Sequence, residues 1–393
     1  YRAGYPRSYI NNRYTGENVY WLAVSGNFAQ PPVRMGQYDG TPGGTYDTVI
    51  TSFRRDVHVE QENLISTETD GHIMDYYNWF WTDSTHLTVF VPTPGAIPGD
   101  SASVYLEGRT TGYSGVNGYI DMTVNGVAGM NKSCSRVNCY YTTNSLTDQL
   151  NRIDLQMEPS SYSLGLPPFF NFLQINYHSQ ARAYDNRLDM VLGNNELRSR
   201  VQVIDNFSTE PTIFHLADPL RPQVVSGAVR AAGYITFRAD LTATGPNRFY
   251  FAPISAAISP DAVPAVDFTD LRADLDQTDM IIVTPRSFTS HLDEYVDYRS
   301  AEGYSIRMVA VEDIMDNFSY GLYDPTAIRD FLKFAYETYA SPAPLIALFV
   351  GDANYDFMDN YGTGMPNYVP AYVRPNDNSY NDDNYVYFGQ YGL

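Results

Sequence analysis

The chain has 393 residues, 44% of them hydrophobic, and no apolar run near the ~20 residues that a membrane-spanning helix needs. That length suits two or three domains with separate cores. The balance of 25 Lys+Arg against 45 Asp+Glu gives a net charge of −20. It argues against nucleic acid and anionic membranes, whose phosphates need a basic surface, and it suits Ca²⁺, which takes carboxylate and carbonyl oxygens.

From residue 1 to about 190 the pattern is strand, turn, strand. "NVYWLAVSG" (18–26), "HLTVFVP" (86–92), "SASVYLEGRT" (101–110) and "GYIDMTVNGV" (118–127) alternate apolar with polar residues, and Gly, Pro and Asn punctuate the gaps. "NRIDLQME" and "FFNFLQINYHSQARAY" continue it. The expectation is an antiparallel, jelly-roll-like β-sandwich over 1–190. Residues 191–265 add a small β domain from "RSRVQVID", "TIFHLAD", "YITFRADL" and "RFYFAPI". The two prolines of "ADPLRP" belong to an edge or a loop, and "ISPDAVPAVDF" (258–268) reads as an extended linker.

After residue 266 the period changes. "MIIVT" (280–284) is a short buried strand, and "SFTSHLDEYVDYRSAEG" (287–303) places Phe288, Leu292, Tyr295, Val296 and Tyr298 mostly on one helical face, with Gly303 as its stop. "YSIRMVAV" is a second strand. "DPTAIRDFLKFAYETY" opens with Asp324 at N-cap and Pro325 at N1, then repeats Ile328, Leu332, Ala335 and Tyr339 along one stripe. "LIALFV" is a third strand, running into Gly351 and Asp352. Strands alternating with helices imply right-handed crossovers and a parallel sheet, with ligands beyond the carboxyl ends of its strands. The fold class is therefore multidomain: antiparallel β-domains followed by a partial α/β domain.

The segments "DMIIVTPRSF", "YRSAEGYSIRMV", "NFSYGLYDPTAIRDFL", "VGDANYD" and the acidic "YNDDNYVYFG" resemble, in order and spacing, the first half of the gingipain-type cysteine peptidase domain. The nearest branch is that of the type IX secretion sortases. Upstream, "NRYTGENVYWLAV", "GYIDMTVNG" and "INYHSQARAYDNRLDMVL" resemble the β-sandwich that precedes the catalytic domain in that branch. The resemblance implies a caspase-like α/β sheet over 266–393, a bacterial protein that is secreted or at the cell surface, and protein substrates. The tyrosine-rich, lysine-poor composition resembles that of exported bacterial β-proteins.

The resemblance also implies a His–Cys dyad on later strands, in which the thiolate attacks and the imidazole protonates the leaving amine. Past residue 266 this chain has one His, His291, in a predicted helix, and no Cys. No catalytic residue is assigned here, and the dyad is expected beyond residue 393. Likewise, any signal peptide is expected to have been removed or to lie upstream of Tyr1. The alternative is a non-catalytic surface or assembly protein on the same fold.

Other candidate sites are few. Cys134 and Cys139, on the turn-rich "SCSRVNCYY", are expected to close a hairpin disulfide rather than bind zinc or act as a nucleophile. Asp352, Asp356 and Asp359, with Asp377, Asp382 and Asp383, cluster in loops. Asp352, Asp356, Asp382 and Asp383 are the candidate Ca²⁺ ligands, although neither run has EF-hand order and Asp and Asn also simply make turns. His58, Glu60 and Glu62 stand at strand spacing, as a metal or acid–base face against an ordinary polar one. Trp79 and Trp81 read as sandwich core, against a sugar-binding platform. The Asn131, Asn206 and Asn317 triplets carry no information by themselves. Three strands leave an open edge beside 345–350, and the expected partner there is the rest of the peptidase domain or another chain.

Overall fold

The structure, a computed structural model, describes residues 14–22, 34–65, 79–110, 120–135, 138–157, 168–193, 197–218, 220–244, 246–257, 265–373 and 381–388. Asp377 and most of the 258–268 linker lie outside them. The chain forms two compact units. One joins Asn27–Glu68 to Trp79–Asp261, and the other joins Tyr1–Gly26 and Thr69–Asn78 to Ala262–Leu393. Among the described residues no helix is long and apolar enough to cross a membrane.

The β unit contains two sandwiches. In the first, Met130–Ser135, Asn138–Thr143, Ala102–Thr110, Pro168–Gln180 and Ser52–Glu60 form a five-stranded sheet in that order. It faces a four-stranded sheet of His86–Pro92, Leu150–Met157, Ile120–Val124 and Val127–Ala128. Alternation decides what goes inside: Leu106, Leu173 and Ile175 from one sheet meet Val91, Ile153 and Leu155 from the other in one core. The second sandwich uses Arg198–Ile204, Thr212–His215, Tyr234–Asp240 and Asn247–Ala252, and its core holds Val201, Val203, Phe237, Phe249 and Phe251. It also recruits Gly36–Asp39, parallel to Gln223–Ser226, and Thr48–Ile50, parallel to Arg198–Ile204.

The α/β unit is built on a parallel sheet of three strands. Met280–Thr284 is central, with Ile306–Ala310 on one side and Ile346–Phe349 on the other. The central strand is buried at all five positions, as its unbroken apolar run requires. Helices α1 (Asp293–Ala301), α2 (Val311–Phe318) and α3 (Pro325–Thr338) supply the crossovers. Helix α3 starts where the sequence says it should: the Asp324 carboxylate accepts the Thr326 N–H at 2.8 Å, and Pro325 follows. Its buried stripe of Ala327, Ile328, Phe331, Leu332 and Ala335 packs with α2 against Ile281, Val283 and Val309 of the sheet.

Two local expectations fail for identifiable reasons. Residues 287–303 do not form one amphipathic helix: Arg286–His291 is a 3₁₀ turn and α1 begins only at Asp293, with no residue of either buried. The split between a 3₁₀ turn of three residues per turn and a short α-helix takes Phe288 out of register with Leu292, Tyr295 and Val296, so no common stripe forms. Residues 18–22 form no strand and are exposed, no strand among the described residues pairing with them, and 23–26 lie outside the described residues. Trp21 is held by its side chain instead, its Nε1–H donating to the Tyr320 carbonyl at 2.8 Å.

Candidate functional site at the carboxyl edge of the parallel sheet

All three parallel strands end at one edge. The central strand runs into Pro285, the second strand passes directly into α2 at Val311, and the third runs through Val350 into Gly351. The Thr284 hydroxyl donates to the Val350 carbonyl at 2.9 Å and ties two of these ends together. Gly351 has φ +140°, and a Cβ there would stand 2.8 Å from the Tyr368 Cβ. Only glycine fits that corner. From it the chain enters a long loop that returns over the same edge, where the Tyr368 N–H donates to the Asp352 carbonyl at 3.0 Å.

A pocket of about 470 Å³ opens there, lined among others by Pro285, Glu312, Met315, Asp316, Tyr323 and Tyr368. Its walls are apolar and its rim is acidic. Arg286 donates from its backbone N–H to the Glu312 carboxylate at 2.9 Å and from its guanidinium to Asp313 at 2.7 Å. Burial, reinforced by the Asp313 charge and opposed by Arg286, raises the Asp316 carboxyl above the ordinary range. The Tyr323 hydroxyl, pushed up by burial, donates to the Asn367 carbonyl at 2.7 Å and closes one wall.

Of the acids singled out in the sequence, the described ones, Asp352, Asp356, Asp359, Asp382 and Asp383, are not brought into one cluster. Asp356 is buried and accepts the N–H groups of Asn360 at 2.7 Å and Tyr361 at 2.9 Å, one on each carboxylate oxygen. Asp359 accepts the Thr363 and Gly364 N–H groups on one oxygen, and the Gly364 N–H also reaches the other. Asp352 is exposed, and Asp382 and Asp383 lie in the first turn of a separate 3₁₀ helix, Asp382–Tyr385. Among the described residues no group of three or more His, Cys, Asp or Glu side chains can hold a metal. The physical reason is that these carboxylates fold their own loops.

His291 is exposed at the end of its 3₁₀ turn. Cys134 and Cys139 face each other in the register of the Met130–Ser135 and Asn138–Thr143 hairpin, Cα atoms 4.1 Å apart, and are joined as a disulfide. His58 pairs with Glu60 at 2.8 Å, and the strand ends at Glu60, with Glu62 two residues past it. Trp79 and Trp81 are buried, and the Trp81 indole N–H donates to Gln61 at 2.9 Å, which makes them core rather than a sugar platform. Asn317 is a buried amide that accepts the Leu271 N–H and donates to the Thr269 and Asp313 carbonyls.

Sequence reasoning missed α2 and hence the acidic rim. The signal was present: Val311, Ile314, Met315 and Phe318 stand at helical spacing, with Glu312 and Asp313 in the first turn.

Residues 273–390 match peptidase family C25. The match covers the parallel sheet, its three helices and the loop over its carboxyl edge. Dimeric latent PorU from Porphyromonas gingivalis has the same fold over most of the chain: TM-score 0.69 at 20% identity, covering 90% of this chain and 36% of that one. The chain thus spans about a third of the length of PorU. The CUB1-EGF-CUB2 domain of human MASP-1/3 is 8% identical at a TM-score of 0.17, over 50% of this chain and 98% of that one, and carries no argument. No curated protein sequence matches.

Proposed function

We propose that this chain is the amino-terminal portion of a secreted, gingipain-like cysteine endopeptidase or sortase acting on protein substrates. The β unit precedes the first half of the peptidase sheet, and the thiol and imidazole come from polypeptide beyond residue 393. The observation that carries the reading is the state of the sheet within the C25-matching region. Its third strand, Ile346–Phe349, is only partly buried at every position and, among the described residues, pairs on one side only. A parallel strand in that state is a template for a further strand. The pocketed carboxyl edge beside it has the place, though not the nucleophile, of an active site.

Secretion is supported by the disulfide, which belongs to an oxidising compartment, and by the C25 match. The test is a thiol-directed peptide probe, such as a peptidyl iodoacetamide, applied to a longer polypeptide that continues this chain. The proposal expects one label, on a cysteine beyond residue 393, with loss of proteolysis in step with labelling. A longer polypeptide without a reactive thiol supports the non-catalytic surface or assembly protein instead.

A further inference from the structure

Residues 14–22 belong to the α/β unit, although the chain builds most of the β unit before it returns at residue 262. They form neither helix nor strand, none is buried, and Tyr20 and Leu22 are 86% and 71% exposed. Two aromatic anchors seven residues apart hold them. Tyr14 meets Phe357 edge-on at 4.6 Å, and its hydroxyl accepts the Val373 N–H at 3.2 Å. Trp21 donates its indole N–H to the Tyr320 carbonyl at 2.8 Å and stands edge-on to Phe268 at 6.1 Å. Between the anchors the backbone passes Met358 at Gly16, and Val19 passes so close to Gly321 that a Cβ on Gly321 would stand 3.0 Å from it.

The receiving surface is built independently of the arm. Asp356 and Asp359 pin the loop that presents Phe357 and Met358 by accepting its own backbone N–H groups. Tyr320 at φ +57° and Gly321 at φ +83° form the turn that aims the acceptor carbonyl outward, and this turn is closed by bonds to Met315 and Ser319. Gly321 also lines the pocket at the carboxyl edge, so the track runs beside that pocket. An arm without ladder bonds or buried side chains, seated on a preorganised surface, is a bound peptide in all but its covalent connection.

We propose that this track is a binding site for extended polypeptide, occupied here by the chain's own amino-terminal arm. It accepts in trans a segment with two aromatic side chains seven residues apart, the second a tryptophan whose N–H meets the Tyr320 carbonyl. The site needs no catalytic residue and stands apart from the peptidase reading.

The test uses the full chain carrying Tyr14→Ala and Trp21→Ala, which remove both anchors of the arm and free the track. The probe is a fluorescent peptide of residues 12–24, NRYTGENVYWLAV. The peptide is expected to bind the double variant at least tenfold tighter than the parent chain. A probe with alanine for its tryptophan should lose at least tenfold in affinity for that variant. Equal binding to parent and variant, or none to the variant, overturns the proposal. A chain starting at residue 23 serves as a second receptor under the same criterion. A photo-crosslinking version of the probe should label the surface around Phe268, Tyr320 and Met358, and labelling confined to other regions also overturns it.

Discussion

Replacing Gly351 with alanine isolates the corner where the third parallel strand meets its loop. At φ +140° the backbone is in a region that is closed to side chains, a strain of about 1–3 kcal/mol. The added Cβ would lie 2.8 Å from the Tyr368 Cβ and 3.2 Å from both the Pro285 ring and Val369, and all three must shift. Overpacking of that kind costs a further ~1–3 kcal/mol, for a total of about 2–6 kcal/mol. Gly362→Ala is the control: its φ is +63° and nothing lies within 4 Å of its Cβ, so it carries only the left-handed cost of about 1–2 kcal/mol. Native-state hydrogen exchange of the buried central strand Met280–Thr284 reads the stability of the α/β unit without assuming that the whole chain unfolds in one step. Gly351→Ala should cut protection there by roughly thirtyfold or more, at ~1.4 kcal/mol per tenfold, and Gly362→Ala by clearly less. Equal losses in the two variants would refute the close approach at this corner.

Three further outcomes follow from single interactions. Asp324→Ala removes the carboxylate that accepts the Thr326 N–H and should destabilise the α/β unit by ~0.5–2 kcal/mol, with Asp324→Asn retaining most of it, as urea titrations would report. The raised Asp316 carboxyl binds its proton more tightly folded than unfolded. Its stabilising protonation is therefore complete below about pH 4 and is lost as pH rises through the folded value. Asp316→Asn should raise the melting temperature at neutral pH relative to the parent and lose that advantage below about pH 4. Replacing Cys134 and Cys139 with serine opens a loop whose ends are 5 residues apart. It should cost the β unit ~2 kcal/mol, a drop that reduction of the parent chain reproduces.

What the sequence revealed depended on whether the signal was local. The N-terminus of α3 was legible because Asp324 and Pro325 act on the next few residues, and the stripe Ile328, Leu332, Ala335 was read from spacing alone. The central strand was legible because an unbroken apolar run has few other uses. The second sandwich's borrowing of Gly36–Asp39 and Thr48–Ile50 was not legible, because parallel pairing across more than 140 residues leaves no mark in either segment. The aromatic run at 18–22 suggested a strand from propensity, but what orders it is a side-chain contact to Tyr320, 299 residues away. The acidic runs left two readings open for a related reason: Asp356 and Asp359 look alike in sequence whether they face a cation or their own backbone, and the loop's conformation shows the backbone contacts.

On the proposed reading, a further strand completes the parallel sheet beside Ile346–Phe349, which among the described residues pairs on one side only. The Ile346 and Val350 N–H groups donate inward, to Asp279 and Val283 of the central strand's segment. By the alternation of a parallel ladder, the N–H groups of Ala347 and Phe349 point to the open side. Residue-resolved hydrogen exchange on this chain and on a longer polypeptide that continues it tests the claim directly. Slow exchange is expected at Ile346 and Val350 in both, and fast exchange at Ala347 and Phe349 in this chain that becomes slow in the longer one. Protection at Ala347 and Phe349 in this chain alone, or none in the longer polypeptide, would contradict it.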